Sequence, residues 1–286
     1  MKNAIEIKNL KKEYDTNFKL GELNLEIPSG CIIGLIGENG AGKTTLIKIL
    51  LNIIKSDQGQ IKIFEKDHIQ HESDIKEDIG VVLDNMFFPE ILTANDINNV
   101  MKGIYRTWDQ SLFYDYLNKF ELPKDKMIKT LSKGMRKKLE IATALSHHPK
   151  LLILDEPTSG LDPVVRGDIL DLFLDFIQDE DHTILLSTHI TSDLEHIADE
   201  IIFIDKGKIV LNKNRDELLD SYGILKCDLD NFNDIEKEDI VRYKKNKYNY
   251  EILIENRRKM SKKYKDYVID KITLEELMVL MIKGVK

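Results

Sequence analysis

Cysteine is scarce here: Cys31 and Cys227 are the only two in 286 residues. They lie far apart and match no metal-ligand spacing, so neither a disulfide framework nor a zinc site organises the chain. A reduced, cytosolic compartment is the default expectation that follows. Long apolar runs are missing as well; none approaches the length needed to cross a bilayer, so a membrane role must come through a partner. The opening residues, Met1-Lys2-Asn3-Ala4-Ile5-Glu6-Ile7, do not have the layout of a secretion signal. Nor is there a basic surplus: the formal net charge of −8 argues against a dedicated nucleic-acid binder. Internal repeats and low-complexity tracts are absent. What remains, 42% hydrophobic and 32% charged residues, describes an ordinary soluble globular chain, one large domain or one with an appendage.

The most informative stretch that is present runs from Cys31 to Thr45. It reads as a buried apolar strand, Cys31-Ile32-Ile33-Gly34-Leu35-Ile36, then a glycine loop, then a helix start. Gly37, Gly42, Lys43 and Thr44 match the G-x-x-x-x-G-K-[ST] phosphate loop. A triphosphate is polyanionic, and side chains on the loop would hold the backbone away from it. Glycines at 37, 40 and 42 let successive N–H groups turn inward as an anion nest at a helix N-terminus. Gly37, Asn39, Gly40, Ala41, Gly42, Lys43, Thr44 and Thr45 are therefore candidate nucleotide contacts. Lys43 reaches β- and γ-phosphate oxygens in this reading, Thr44 ligates Mg²⁺, and Thr45 donates to the α-phosphate. Nucleoside triphosphate binding is the first functional expectation.

Around this loop the hydrophobic pattern predicts an α/β protein. Ile5 and Ile7, Phe18 and Leu20, and Leu23, Leu25 and Ile27 alternate as half-buried antiparallel strands. Leu46, Ile49, Leu50 and Ile53 form a core-facing stripe on the helix after the loop. Ile79 to Leu83 reads as a buried strand ending at Asp84. Residues 85–130 read as helical, with Thr93 and Asp96 as a capping box and Leu112, Phe113, Tyr116, Leu117 and Phe120 on one helix face. Leu131-Ser132-Lys133-Gly134-Met135 opens another helix. Leu151 to Leu154 is a continuous apolar run, the signature of a strand buried on both faces of a parallel sheet. Ile184 to His189 reads as the next such strand. From about residue 213 the grammar changes to a small α+β region, in which Arg242–Lys265 is basic and carries Tyr243, Tyr248 and Tyr250. Acids just upstream offset that charge, and a solvated face is the better reading. The expected division is thus 1–212, with a helical insert over about 85–135, and 213–286.

Phosphate chemistry also needs a metal and a means of orienting water. Asp155 and Glu156 stand at the carboxyl end of a buried strand, where ligands bind in open α/β sheets. Asp155 is the expected Mg²⁺ ligand, direct or through water, and Glu156 the base that polarises the attacking water. His189, at the end of a later strand, is either a γ-phosphate sensor or a satisfied core histidine.

Together these segments resemble the ATP-binding subunits of ABC transporters. The matching residues are Gly37–Thr45 (phosphate loop), Leu131–Met135 (signature segment), Leu151–Glu156 (acidic strand), Ser159-Gly160-Leu161-Asp162 (D-loop) and His189 (switch histidine), in family order over roughly residues 1–215. The resemblance implies a P-loop NTPase core with a mostly parallel sheet, an antiparallel β subdomain, a helical insert and a small C-terminal α+β appendage. It implies ATP and Mg²⁺ as ligands and catalytic roles for Lys43, Glu156 and His189. Tyr14 falls where the family stacks an aromatic on adenine, though a strand-edge tyrosine would read alike. It further implies a head-to-tail dimer, homo- or heteromeric, in which Ser132 and Gly134 contact ATP held by the opposite subunit, and it adds Asp162 of the D-loop to the nucleotide-binding residues. ATP then favours the closed dimer, and hydrolysis releases it.

Three residues depart from the family pattern. Lys133 and Met135 replace the first Gly and the Gln of L-S-G-G-Q, and Asp84 stands where the family has a Gln. Asp84 can accept from metal-bound water, which gives it a metal-site and coupling role, or it caps the turn. Met86-Phe87-Phe88-Pro89 is an apolar knob where the family receives a helix from its membrane partner; packing within the insert is the equal alternative for Phe87 and Phe88. The resulting expectation is an ATPase that drives transport, in the style of bacterial exporters of peptides, antibiotics or lipids. It would work at the cytoplasmic face of the membrane through a separate polytopic permease, without nucleic acid. The competing reading is a soluble ABC ATPase acting on nucleic acid or ribosomes. The short span between phosphate loop and signature, without cysteine clusters or sustained heptads, weighs against it.

Overall fold

The computed structural model describes residues 2–14, 18–84 and 88–285. β1 (Asn3–Glu13) and β2 (Lys19–Pro28) pair antiparallel, with Ile5 opposite Ile27 and Ile7 opposite Leu25. β3 (Ile32–Ile36) leads through the glycine loop into α1 (Lys43–Leu50). β4 (Gln58–Ile63) and β5 (Lys66–Asp67) complete an antiparallel sheet of order β2-β1-β4-β5. After α2 (Glu72–Glu77) and β6 (Ile79–Val82) come the insert helices α3 (Ala94–Ile104) and α4 (Gln110–Lys119). The Thr93–Asp96 capping box is formed as expected and fixes the start of α3. The chain continues with α5 (Lys133–Leu145), β7 (Leu151–Asp155), α6 (Pro163–Phe176), β8 (Thr183–Ser187) and α7 (Thr191–Ile197). β9 (Glu200–Asp205), β10 (Lys208–Asn214) and α8 (Arg215–Ser221) follow.

The central sheet has the order β10-β9-β3-β8-β7-β6, parallel except for β10. Its apolar strands are continuous rather than alternating because both faces are covered, and the side-chain period of two sorts them into separate cores. Ile33, Leu35, Leu151, Ile153 and Leu185 pack with α1 and the antiparallel sheet. Ile32, Ile36, Leu152, Leu154, Ile184 and Leu186 pack on the other side with α5, α6 and α7. All five residues of β3, β7 and β8 are buried. Parallel pairing brings the carboxyl ends of β3, β6, β7 and β8 to one edge, and the phosphate loop, Asp84, Asp155 and Glu156 lie on that edge.

The last part forms its own antiparallel sheet of order β12-β13-β11-β14, from β11 (Gly223–Asp228), β12 (Arg242–Lys245), β13 (Asn249–Ile254) and β14 (Val268–Lys271). α9 (Arg257–Lys263) and α10 (Leu274–Lys283) belong to it. Phe232, Tyr243 and Tyr250 cluster with ring centroids 4.1–5.8 Å apart, so Tyr243 and Tyr250 of the basic stretch are packed inward, while Tyr248 is 74 % exposed. The sheet is stitched to the main core: Leu274, Leu277 and Leu280 of α10 share a cluster with Leu194 and Ile197 of α7. Leu274 N–H also donates to Glu195 Oε1 at 2.6 Å. Among the described residues no helix is long and apolar enough to cross a membrane.

One expectation fails locally. Ile53 is 56 % exposed rather than part of the α1 stripe, because the helix ends at Leu50 and the chain turns at Asn52 with φ of 55°. Met86 and Phe87 of the apolar knob lie outside the described residues.

Candidate nucleotide site

The site is built on the strand ends. At Gly37, directly after β3, an added Cβ would stand 2.3 Å from the Ile204 carbonyl oxygen, so only glycine lets the chain turn that close to β9. α1 then starts at Gly42 without a side-chain cap, which leaves its first N–H groups facing outward. Lys43 is buried, and its Nζ folds back over the loop to donate to Gly37 O (2.7 Å) and Glu38 O (3.3 Å). Burial pushes its ammonium below the ordinary lysine value, while the Glu156 and Asp155 carboxylates pull it back up.

From β7, Asp155 meets this loop: Thr44 Oγ1 donates to Asp155 Oδ2 at 2.9 Å. Asp155 Oδ1 is buried and has no partner. A carboxylate oxygen buried without a donor is costly unless something positive occupies its free side. Among the described residues no three His, Cys, Asp or Glu gather as a cage. That donor set suits Mg²⁺, which takes one or two protein oxygens and leaves its other positions to water and phosphate.

Glu156 holds a left-handed backbone with φ of 53°, a conformation non-glycine residues adopt at a cost and retain where surroundings enforce it. Its N–H donates to Ser187 O at 2.8 Å, tying the end of β7 to β8. His189 comes off β8 and donates from Nδ1 to Glu156 Oε2 at 2.7 Å. The two candidates thus meet, and His189 is half exposed rather than a core histidine.

A cleft of about 490 Å³ gathers Tyr14, Phe18, Asn39, Gly40, Gly42, Lys43, Thr44, Thr45, Asp84 and Glu156. That volume is within the usual range for small-molecule sites. Tyr14 is 37 % exposed and lies beside Phe18, ring centroids 6.1 Å apart, so one end of the cleft has an aromatic wall. Asp84 is exposed at the end of β6, facing the same space as Thr44 and Glu156. Gly37 and Ala41, also expected as nucleotide contacts, are buried and do not line this cleft.

Ser132, Gly134 and Asp162 stand outside this cleft. Ser132 caps α5, its Oγ accepting from Met135 N–H at 3.2 Å. Asp162 caps α6, accepting from Val164 and Val165 N–H at 3.1 Å each. Gly134 faces Val165, and Lys133 lies along Gly160, its Nζ 2.5 Å from where a Cβ on that glycine would stand. The signature segment and the D-loop therefore pack on one another, away from the phosphate loop of their own chain.

The sequence profile of the ABC transporter family matches residues 20–159. The lantibiotic transport ATP-binding protein SrtF of Streptococcus pyogenes is 40% identical over 214 residues, 74% of this chain and 91% of SrtF. The chain belongs to the ABC transporter ATP-binding proteins. The bacitracin transport ATP-binding protein BcrA of Bacillus licheniformis is 35% identical over 215 residues, 73% of this chain and 69% of BcrA. A solved ATP-binding subunit of an ABC transporter superposes with a TM-score of 0.69 at 25% identity, covering 75% of this chain and 91% of that one. As a member of this family the chain is an ATP-binding, ATP-hydrolysing subunit that drives transport, on the P-loop α/β fold expected.

Several supporting residues escaped sequence reasoning. Asp193 of α7 is fully buried, accepts from Thr158 Oγ1 at 2.6 Å and is paired with Arg166 of α6. Arg166 also donates to Ser192 Oγ at 2.6 Å. This network fixes the loop after Glu156, yet its members are too far apart in the chain for any spacing to announce them. Gly207, in the β9–β10 turn, donates its N–H to Ala41 O at 2.8 Å and so braces the phosphate loop. Its signal was a turn glycine, which gave no hint of what it touches.

Proposed function

We propose that this chain powers export of a peptide, antibiotic or lipid-like cargo through a separate membrane permease, with two ATP-binding subunits closing head to tail over ATP. The observation that carries the chemistry is the Thr44–Asp155 hydrogen bond beside the unpartnered Asp155 Oδ1, in the cleft that holds Lys43 and Glu156. Thr44 and Asp155, with Asp84 across the cleft, would hold Mg²⁺, which supplies positive charge against the β- and γ-phosphate oxygens. Lys43 binds those oxygens directly, and Tyr14 covers the base. Glu156 takes the proton of the water that attacks the γ-phosphorus, and the bond to the ADP oxygen breaks. His189 orients the Glu156 carboxylate through its 2.7 Å hydrogen bond.

Ser132 and Gly134 lie outside the cleft of their own chain, which supports a role toward ATP on an opposed subunit, where the α5 N-terminus favours phosphate. Asp162, beside them, shapes the same surface. Phe88 packs against the core of its own chain, the packing alternative for that residue, and a permease helix would dock beside it near the insert. Such a dimer would sit on the cytoplasmic face of the membrane. The names of SrtF and BcrA, with lantibiotic and bacitracin transport, favour export of antibiotic peptides. We read residues 213–286 as an accessory region attached to an ATPase unit of residues 1–212. The test is detergent extraction of the tagged chain from its own host. Co-purification of a polytopic membrane protein, with ATPase activity in the complex, is expected; recovery only as a soluble, unpartnered chain would reject the transport reading.

A further inference from the structure

Lys137 and Glu140 form an ion pair at 2.8 Å in the middle of α5, only 5 % and 7 % exposed, and neither lines the nucleotide cleft. Burying two ions costs several kcal/mol each in real proteins, and a well-packed apolar pair often serves stability equally well. Apolar residues could not, however, supply the third contact. Lys137 Nζ also donates to the carbonyl oxygen of Leu83 at 2.8 Å. Leu83 is the residue before Asp84, at the point where β6 delivers that carboxylate to the cleft. One ammonium therefore ties the helix that begins at Ser132 to the backbone that aims Asp84.

We propose that Lys137 is a positioning residue for ATP hydrolysis: its tether on the Leu83 carbonyl sets Asp84 against Thr44 and Glu156, and couples that placement to the orientation of α5. This rests on the reading of Asp84 as part of the site. Glu140 neutralises the buried ammonium. Burial raises the Glu140 carboxyl above the usual carboxylate range, Lys137 lowers it and the nearby Asp84 charge raises it further. The geometry is tight because adjacent Cα atoms are about 3.8 Å apart. Releasing the Leu83 carbonyl therefore releases Asp84 directly, and a misplacement of about 1 Å in a catalytic group can cost roughly 10²-fold.

The test uses the full chain with Mg·ATP and the variants K137M, K137M/E140M, E140Q and D84N. K137M alone strands the Glu140 charge and lowers Tm, so the charge-free double variant carries the argument. K137M/E140M is expected to fold with Tm near wild type. Its nucleotide Kd should stay within about 2-fold while kcat falls roughly 10- to 100-fold. E140Q strands the Lys137 charge and so also lowers Tm, but it keeps an amide oxygen for Lys137 and the tether to Leu83, so kcat measured well below that Tm should stay within about 3-fold of wild type, the size of loss one weakened hydrogen bond allows. Wild-type kcat in K137M/E140M, with D84N impaired, overturns the tether. Wild-type kcat in D84N would instead remove Asp84 from the site, and the proposal would fall with it.

Discussion

At the residue scale the chemistry concentrates on a few short contacts. Replacing Glu156 by Gln keeps a hydrogen-bond acceptor for His189 but removes the base. ATP binding should persist while hydrolysis slows by roughly 10²–10⁴-fold, the usual worth of general-base catalysis. A single-turnover assay decides it, and wild-type turnover would place the base elsewhere. Lys43→Ala should instead weaken nucleotide binding itself, because the buried ammonium already spans the loop through Gly37 O. Calorimetric titration with a non-hydrolysed ATP analogue reads this directly, and an unchanged Kd would deny Lys43 its phosphate role. These residues were legible because phosphate chemistry demands particular residue types at fixed spacing. The Asp193–Thr158–Arg166 network was not, since hydrogen bonds between distant segments leave no periodic trace in the chain. Cys31 was legible in the opposite sense: half-buried, with its thiol pushed up to about 12 by burial, it is an inert wall of the core.

At the scale of elements, strand and helix positions followed from apolar patterning, since a strand covered on both faces has to be continuous in Leu, Ile and Val. Partnership between elements was harder to read. Nothing in the local pattern said that the β9–β10 turn would press against β2, yet a Cβ on Gly207 would lie 1.9 Å from Lys19 O. Gly207→Ala should therefore cost roughly 1–3 kcal/mol, as overpacking does. It should also weaken ATP binding, because the same residue braces Ala41; a melt and a binding titration that both match wild type would refute this. His147 makes a second test. It is fully buried, stacks on Tyr105 with centroids 3.9 Å apart and donates from Nδ1 to Glu77 O at 3.1 Å, leaving Nε2 buried without a partner. Burial lowers its pKa below the ordinary histidine value. The unfolded chain then binds the proton more readily than the native one, so stability is retained above about pH 6.5 and falls as the pH drops below it. His147→Gln should flatten that acid-side loss of Tm, with His68, shifted the same way by burial, accounting for part of what remains. An identical pH–Tm curve for the variant would show that His147 is not titrating.

At the scale of the whole molecule, the proposed sharing of sites between two chains has the largest consequence. The phosphate loop and the signature segment are both exposed on one copy but do not meet there. Mixing Ser132→Arg with Glu156→Gln subunits therefore gives a decisive outcome. Each homodimer should be inactive, and the mixture should regain one complete site per heterodimer. Activity that scales with monomer concentration alone, or no recovery on mixing, would contradict shared sites. The reading came through resemblance, and it is compatible with Lys133 lying along Gly160 and with Ser132, Gly134 and Asp162 standing outside the cleft of their own chain.

The docking of α10 on α7 has a practical side. Leu274, Leu277 and Leu280 sit against Leu194 and Ile197, a few residues downstream of His189. A chain cut back to its recognisable motifs would carry every catalytic group and yet enter solution with an oily scar where that last helix had rested. Whatever residues 213–286 do in the cell, their last helix is also the dressing over that wound.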